Sequence, residues 1–124
     1  MMKVTDKHNA RVANMIFGSV YPLYLARLEK NGRTKAELDQ VITWLTGFTP
    51  EKVEKLMAEK VSFEHFFSLA SLHPNAHLIK GMICGYRIEE IDNDVTRQAR
   101  YLDKLVDELA RGRKMEKILR EPKV

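Results

Sequence analysis

Apolar residues recur three and four apart through most of this chain, and short polar punctuation cuts them into segments of helical length. Pro22 stands where a first helical turn would begin, and Leu23, Leu25, Ala26 and Leu28 follow until Asn31-Gly32 stops the run. Thr34 and Glu37 then form a capping box, opening a helix whose inward face is Leu38, Val41, Ile42 and Leu45 and whose end is Gly47. Thr49-Pro50 repeats the signal ahead of Val53, Leu56 and Met57, and Ser62 starts a further short helix. Past Pro74, the spacing of Leu78, Ile79, Met82 and Ile83 predicts one more helical face, with Gly85 as its stop. In "GYRIEEI" Tyr86, Ile88 and Glu90 alternate with Arg87, Glu89 and Ile91, so a short strand competes there. Asn93 caps the longest helix, about 93–111. Its stripe of Val95, Ala99, Leu102, Val106 and Leu109 is widened by Leu105 and ended by Gly112. Met115, Ile118 and Leu119 allow a last turn that packs back. The pattern predicts an all-α fold, a single-domain bundle of six or seven mostly short helices. The alternative is α+β with a short strand near 83–91.

Length and composition narrow the picture. The 124 residues suit one domain spanning 1–124, with a flexible N-terminus (about 1–9) and a basic C-terminal tail (about 113–124). At 44% apolar and 31% charged the chain reads as globular and not disordered. One cysteine cannot close an internal disulfide, and no apolar run approaches the roughly 20 residues of a membrane span. The opening residues have the basic-then-apolar order of a signal peptide, but Asn14, Gly18, Ser19 and Pro22 interrupt the apolar part. A cytoplasmic location is expected. From Arg111 to the end, six basic residues face two acidic ones, which accounts for the whole net charge of +4.

Candidate chemistry is sparse. His73 and His77, with Cys84 and His65, match no compact zinc spacing, and Pro74 takes His73 out of helical geometry. No metal or cofactor is called for. Cys84 would sit late in its helix, where the dipole opposes a thiolate, unless Lys80 or Arg87 compensates. Glu89, Glu90, Asp92 and Asp94 suit the start of the long helix, and Asp107 lies one turn before Arg111 as a stabilising pair. No P-loop, dinucleotide fingerprint or nucleophile elbow occurs, so the balance leans away from an enzyme. "WLTGFTPEKVEK" has a helix-turn-helix outline, but its second helix is neutral, which argues against nucleic acid. Arg111, Arg113, Lys114, Lys117 and Arg120 are the candidates for meeting an acidic partner. Tyr21, Tyr24, Trp44, Cys84 and Arg87 are the candidates for lining a pocket.

The segments "SVYPLYLARLEKNGRTKAELDQVITWLTGF", "FEHFF", "LIKGMICGYRIEEI" and "RYLDKLVDELARGRKMEKILR" together resemble a family of small conserved bacterial proteins. It is filed as domain of unknown function number twenty-two hundred, and the likeness runs over roughly residues 11 to 120. The resemblance implies a stand-alone cytoplasmic protein with no catalytic residues to carry over. Similar sequences more usually have asparagine at His73 and do not require histidine at His77, which weakens a metal reading further. Where this chain has Asn93-Asp94 they tend to have an acidic residue followed by proline, which agrees with a helix start. The leading expectation is a binding or interaction module, whose partner is another protein or a second copy of the chain. The alternative is a small-molecule binder or enzyme with a pocket near Cys84 and Arg87. A weaker third reading is nonspecific nucleic-acid binding through the tail.

Overall fold

Residues 5–120, described by a computed structural model, form seven α-helices, one two-stranded hairpin and two 3₁₀ turns. In order they are α1 (Asp6–Asn14), α2 (Phe17–Lys30), α3 (Lys35–Thr46), α4 (Pro50–Ala58) and α5 (Phe63–Leu69), then β1 (Met82–Ile83) and β2 (Tyr86–Arg87), then α6 (Asp94–Ala110) and α7 (Met115–Ile118). The 3₁₀ turns are Ala76–Leu78 and Ile88–Glu90. The fold is therefore all-α with one small hairpin.

Helix starts follow the capping chemistry closely. Thr34 Oγ1 accepts from the Glu37 N–H while Glu37 reaches back to the Thr34 N–H. Thr49, Ser62 and Asn93 each accept from the backbone N–H three residues on. Gly47 closes α3 at φ +78°, a left-handed cap that glycine adopts without strain.

Two expectations are corrected, at Pro22 and over Leu78 to Ile83. Helix α1 begins within the 1–9 stretch, where Thr5 caps it by accepting from the His8 N–H, and Val12 anchors it in the core. The rest of that stretch (1–4) and the end of the basic tail (121–124) lie outside the described residues. Pro22 does not begin a helix but sits inside α2. The helix extends back to Phe17 because an antiparallel bridge pins its start. The Phe17 N–H donates to the Val61 carbonyl (3.0 Å) and the Phe63 N–H to the Met15 carbonyl (2.8 Å). Burial of Phe17 and Tyr21 then outweighs the hydrogen bond that proline omits. The helix expected over Leu78 to Ile83 is replaced by the first 3₁₀ turn and the hairpin. Gly81, Cys84 and Gly85 all take positive φ, which no α-helix tolerates, and of the apolar set only Ile79 is fully buried. The short strand expected as the alternative near 83–91 is present as Tyr86–Arg87, and Ile88–Glu90 turns after it.

The core is organised around α6, which touches α1, α2, α3, α5, α7 and β1. Ala99, Leu102, Leu105, Val106 and Leu109 are all buried within that ring. Phe17 stacks on Phe66 at 4.0 Å, and Phe63 and Phe48 meet this pair edge-on. With its apolar stripe spent internally, α6 presents no seam of that kind to a second copy. Among the described residues no helix is long and apolar enough to cross a membrane. Leu105→Ala should cost about 2–5 kcal/mol in urea denaturation. Leu23→Ala, at a position 68% exposed, should stay within about 0.5 kcal/mol of the native chain.

Candidate binding cleft

The hairpin that replaced the expected helix forms one wall of a concavity. β1 and β2 pair antiparallel, with Ile83 opposite Tyr86, across the two-residue turn Cys84-Gly85. Both turn residues have positive φ, +52° and +83°, as a type I′ turn requires. Cysteine is a costly choice there, because its Cβ crowds the backbone by roughly 1–2 kcal/mol. The strand edge leans on α6 through Lys104, whose Nζ donates to the Met82 carbonyl at 3.1 Å.

Between this hairpin, α2 and the C-terminal end of α6 lies a cleft of about 640 Å³. Arg27, Met82, Ile83, Cys84, Gly85, Lys104, Asp107, Glu108, Arg111 and Arg113 line it. The two carboxylates are buried, Asp107 at 8% and Glu108 at 6% exposure, and both are saturated from inside. Arg27 Nη2 donates to Asp107 Oδ1 (2.8 Å) and Arg111 Nε to Asp107 Oδ2 (2.9 Å). Arg113 donates to Glu108 (2.9 Å), and Arg120 bonds both Glu108 oxygens at 2.7 and 2.8 Å. Burial works to raise the Asp107 carboxyl, but the bonds and charges of Arg27 and Arg111 outweigh it and hold the group below its ordinary value.

A second network closes the hairpin's other side. Tyr24 Oη and Arg100 Nη1 donate to opposite oxygens of Asp103, each at 2.5 Å. Arg100 Nη2 lies 3.1 Å from His8 Nε2. A guanidinium only donates, so His8 accepts as neutral imidazole. Burial and the neighbouring Arg100 and Arg11 keep its pKa low in agreement. Arg100 also spans the Tyr86 ring at 5.9 Å and approaches Cys84 Sγ at 3.8 Å. Burial, then the Asp103 charge, push the Cys84 thiol up against the pull of Arg100. It is a protonated thiol at neutral pH, poorly suited to nucleophilic attack.

The residues singled out as pocket candidates do not converge. Cys84 lines the cleft, and Tyr24 stands behind it on Asp103. Tyr21 is buried elsewhere, donating to Asp39 (2.5 Å), with its phenol pushed up to about 12 by burial and that bond. Trp44 stacks on His73 at 4.3 Å, away from the cleft lining, and its indole N–H has no partner among the described residues. Arg87 pairs with Glu90 at 3.5 Å and does not line the cleft. Of the basic candidates, Arg111 and Arg113 line it, Arg120 turns inward onto Glu108, and Lys114 and Lys117 are exposed beyond it. Sequence reasoning missed Arg27 and Lys104. Lys104 had a signal, since 104, 107, 108 and 111 share one face of a helix. Arg27 is 80 positions from its partner Asp107 and had none.

A family model described as "uncharacterized protein conserved in bacteria (DUF2200)" matches residues 11–120. The chain belongs to this family. The crystal structure of "uncharacterized protein SP1917" is similar over 91% of this chain and 96% of that one, at 36% identity and a TM-score of 0.84. No curated protein matches the chain.

Two measurements probe this DUF2200 cleft. Cys84→Asn keeps the turn but supplies a residue that tolerates left-handed backbone, and should stabilise by about 0.5–1 kcal/mol in urea denaturation. Because the folded Asp107 titrates below its ordinary 3.8, its contribution is complete above that value. It is lost as pH falls further through the folded value. Urea midpoints taken from about pH 6 down to about pH 3 should fall more steeply in the native chain than in Asp107→Asn.

Proposed function

We propose that this protein is a binding module that docks an acidic segment of a partner protein in the cleft between the hairpin, α2 and the end of α6. The observation that carries the reading is the ring of Arg27, Lys104, Arg111 and Arg113 around a concavity whose two carboxylates are already committed to arginines. Positive charge arranged this way attracts acidic ligands and selects against basic ones. The walls are charged, and the apolar lining is confined to the hairpin, unlike the largely apolar pockets that enclose small ligands. No aromatic ring lines the cleft for stacking on a base, which favours a protein segment over single-stranded nucleic acid. The protonated Cys84 thiol supports binding over covalent chemistry at this place.

The test is fluorescence anisotropy with a short fluorescein-labelled peptide rich in glutamate. Lys104→Ala and Arg111→Ala should each weaken binding roughly 3- to 10-fold, and added salt should weaken the native complex. Lys55→Ala on α4 should leave it unchanged. A Lys104→Ala/Arg111→Ala double variant that binds like the native chain would overturn the reading.

A further inference from the structure

We infer that the docked segment is phosphorylated, and that Arg27, Lys104 and Arg111 form the seat of its phosphate. This rests on the docking reading above and adds the chemical identity of the group recognised.

The argument begins with Asp107. Two guanidinium groups, one from α2 and one just past α6, are fastened to the two oxygens of this one buried carboxylate, at 2.8 and 2.9 Å. One carboxylate neutralises one of them, so the trio keeps a positive charge. Lys104 lies one turn earlier on the same face of α6, its ammonium held at the hairpin edge by the Met82 carbonyl. It forms no ion pair among the described residues, and it adds a second positive charge. Glu108 repeats the device at the cleft's end, with Arg113 and Arg120 on one carboxylate. A glutamate or aspartate brings one negative charge to this seat, whereas a phosphate ester brings about 1.5 to 2.

Geometry points the same way. Among the described residues Arg27 spends one N–H on Asp107, through Nη2, and Arg111 spends one, through Nε. Their side chains remain 48% and 76% exposed, with the other N–H groups of each fork available at the cleft. Three oxygens of a phosphate can take donors from two forks and an ammonium together, while a planar carboxylate offers two oxygens. Asp107 also fixes how both arginines approach, so less side-chain freedom is lost on binding.

The experiment compares three fluorescein-labelled peptides identical except at one central position, which carries phosphoserine, glutamate or serine. The full-length native chain should bind the phosphoserine peptide roughly tenfold or more tightly than the glutamate peptide, and the serine peptide more weakly than both. Inorganic phosphate should displace the phosphoserine peptide. Arg27→Lys and Arg111→Lys keep the charge but lose the fork. Each should erase most of the phosphoserine preference while retaining glutamate-peptide binding, and thermal melts of both variants check that they fold. Equal binding of the phosphoserine and glutamate peptides overturns the phosphate seat and leaves the acidic-segment reading standing. A phosphoserine preference that survives in both lysine variants overturns the seat as well, since it would arise elsewhere. Binding of the serine peptide as tightly as the others, or of none of them, overturns both readings.

Discussion

Two carboxylates at the wrong end of a helix set the terms for much of this structure. Asp107 and Glu108 lie in the last turn of α6, where backbone carbonyls already concentrate negative charge and the helix supplies no basic residue of its own. Both are buried, and an unpaired buried charge is strongly destabilising, by about 3–5 kcal/mol when one partner of such a pair is removed. The chain answers from three directions. Arg27 comes from α2, Arg111 and Arg113 from the residues just after α6, and Arg120 from beyond α7. That demand draws the basic C-terminal stretch inward, and Ile118 packs in the core as it returns.

The same helix carries a polar face opposite its apolar one, read turn by turn as Arg100, Asp103, Lys104, Asp107 and Arg111. The upper part of this face ties α1, α2 and the hairpin together through His8, Tyr24 and Tyr86. The lower part ties α2 and the C-terminal residues together and doubles as a wall of the cleft. The proposed recognition and the fold's stability therefore draw on shared atoms. Asp107 ties α2 to α6 and, by its two hydrogen bonds, orients two of the arginines that line the cleft.

What was legible in the sequence divides along the range of the interactions. Caps at Thr34, Thr49, Ser62 and Asn93 depend on side chains three residues from their partners, and all four stand where the pattern placed them. The stripe of α6 depends only on helical spacing. Pro22 was misread because the bridge between residues 16 and 62, which sets the true start of α2, is invisible locally. The run from Leu78 to Ile83 was misread because a short apolar stretch has no decisive period, and Gly81, Cys84 and Gly85 acquire their meaning only from the turn they share. At the cleft, Arg111 and Arg113 could be found from charge and Lys104 from helical spacing. Arg27 is brought to Asp107 only by the packing of α2 on α6. Tyr21 and Trp44 were placed together by residue type alone, and the fold gives each a different neighbour, Asp39 and His73.

The position of α6 in the chain has a consequence for biosynthesis. Its seventeen residues, 94–110, complete the core, yet they leave the ribosome after all of α1 to α5. Until they emerge, the faces of α1, α2, α3 and α5 that will close on α6 have nothing to cover them, and Arg27 has no carboxylate to meet. The nascent chain must hold that apolar surface open to solvent or to a chaperone until α6 has emerged. It then folds in a late step dominated by contacts between distant residues. A stalled or prematurely ended synthesis would yield an adhesive fragment with no smaller native form to fall back on.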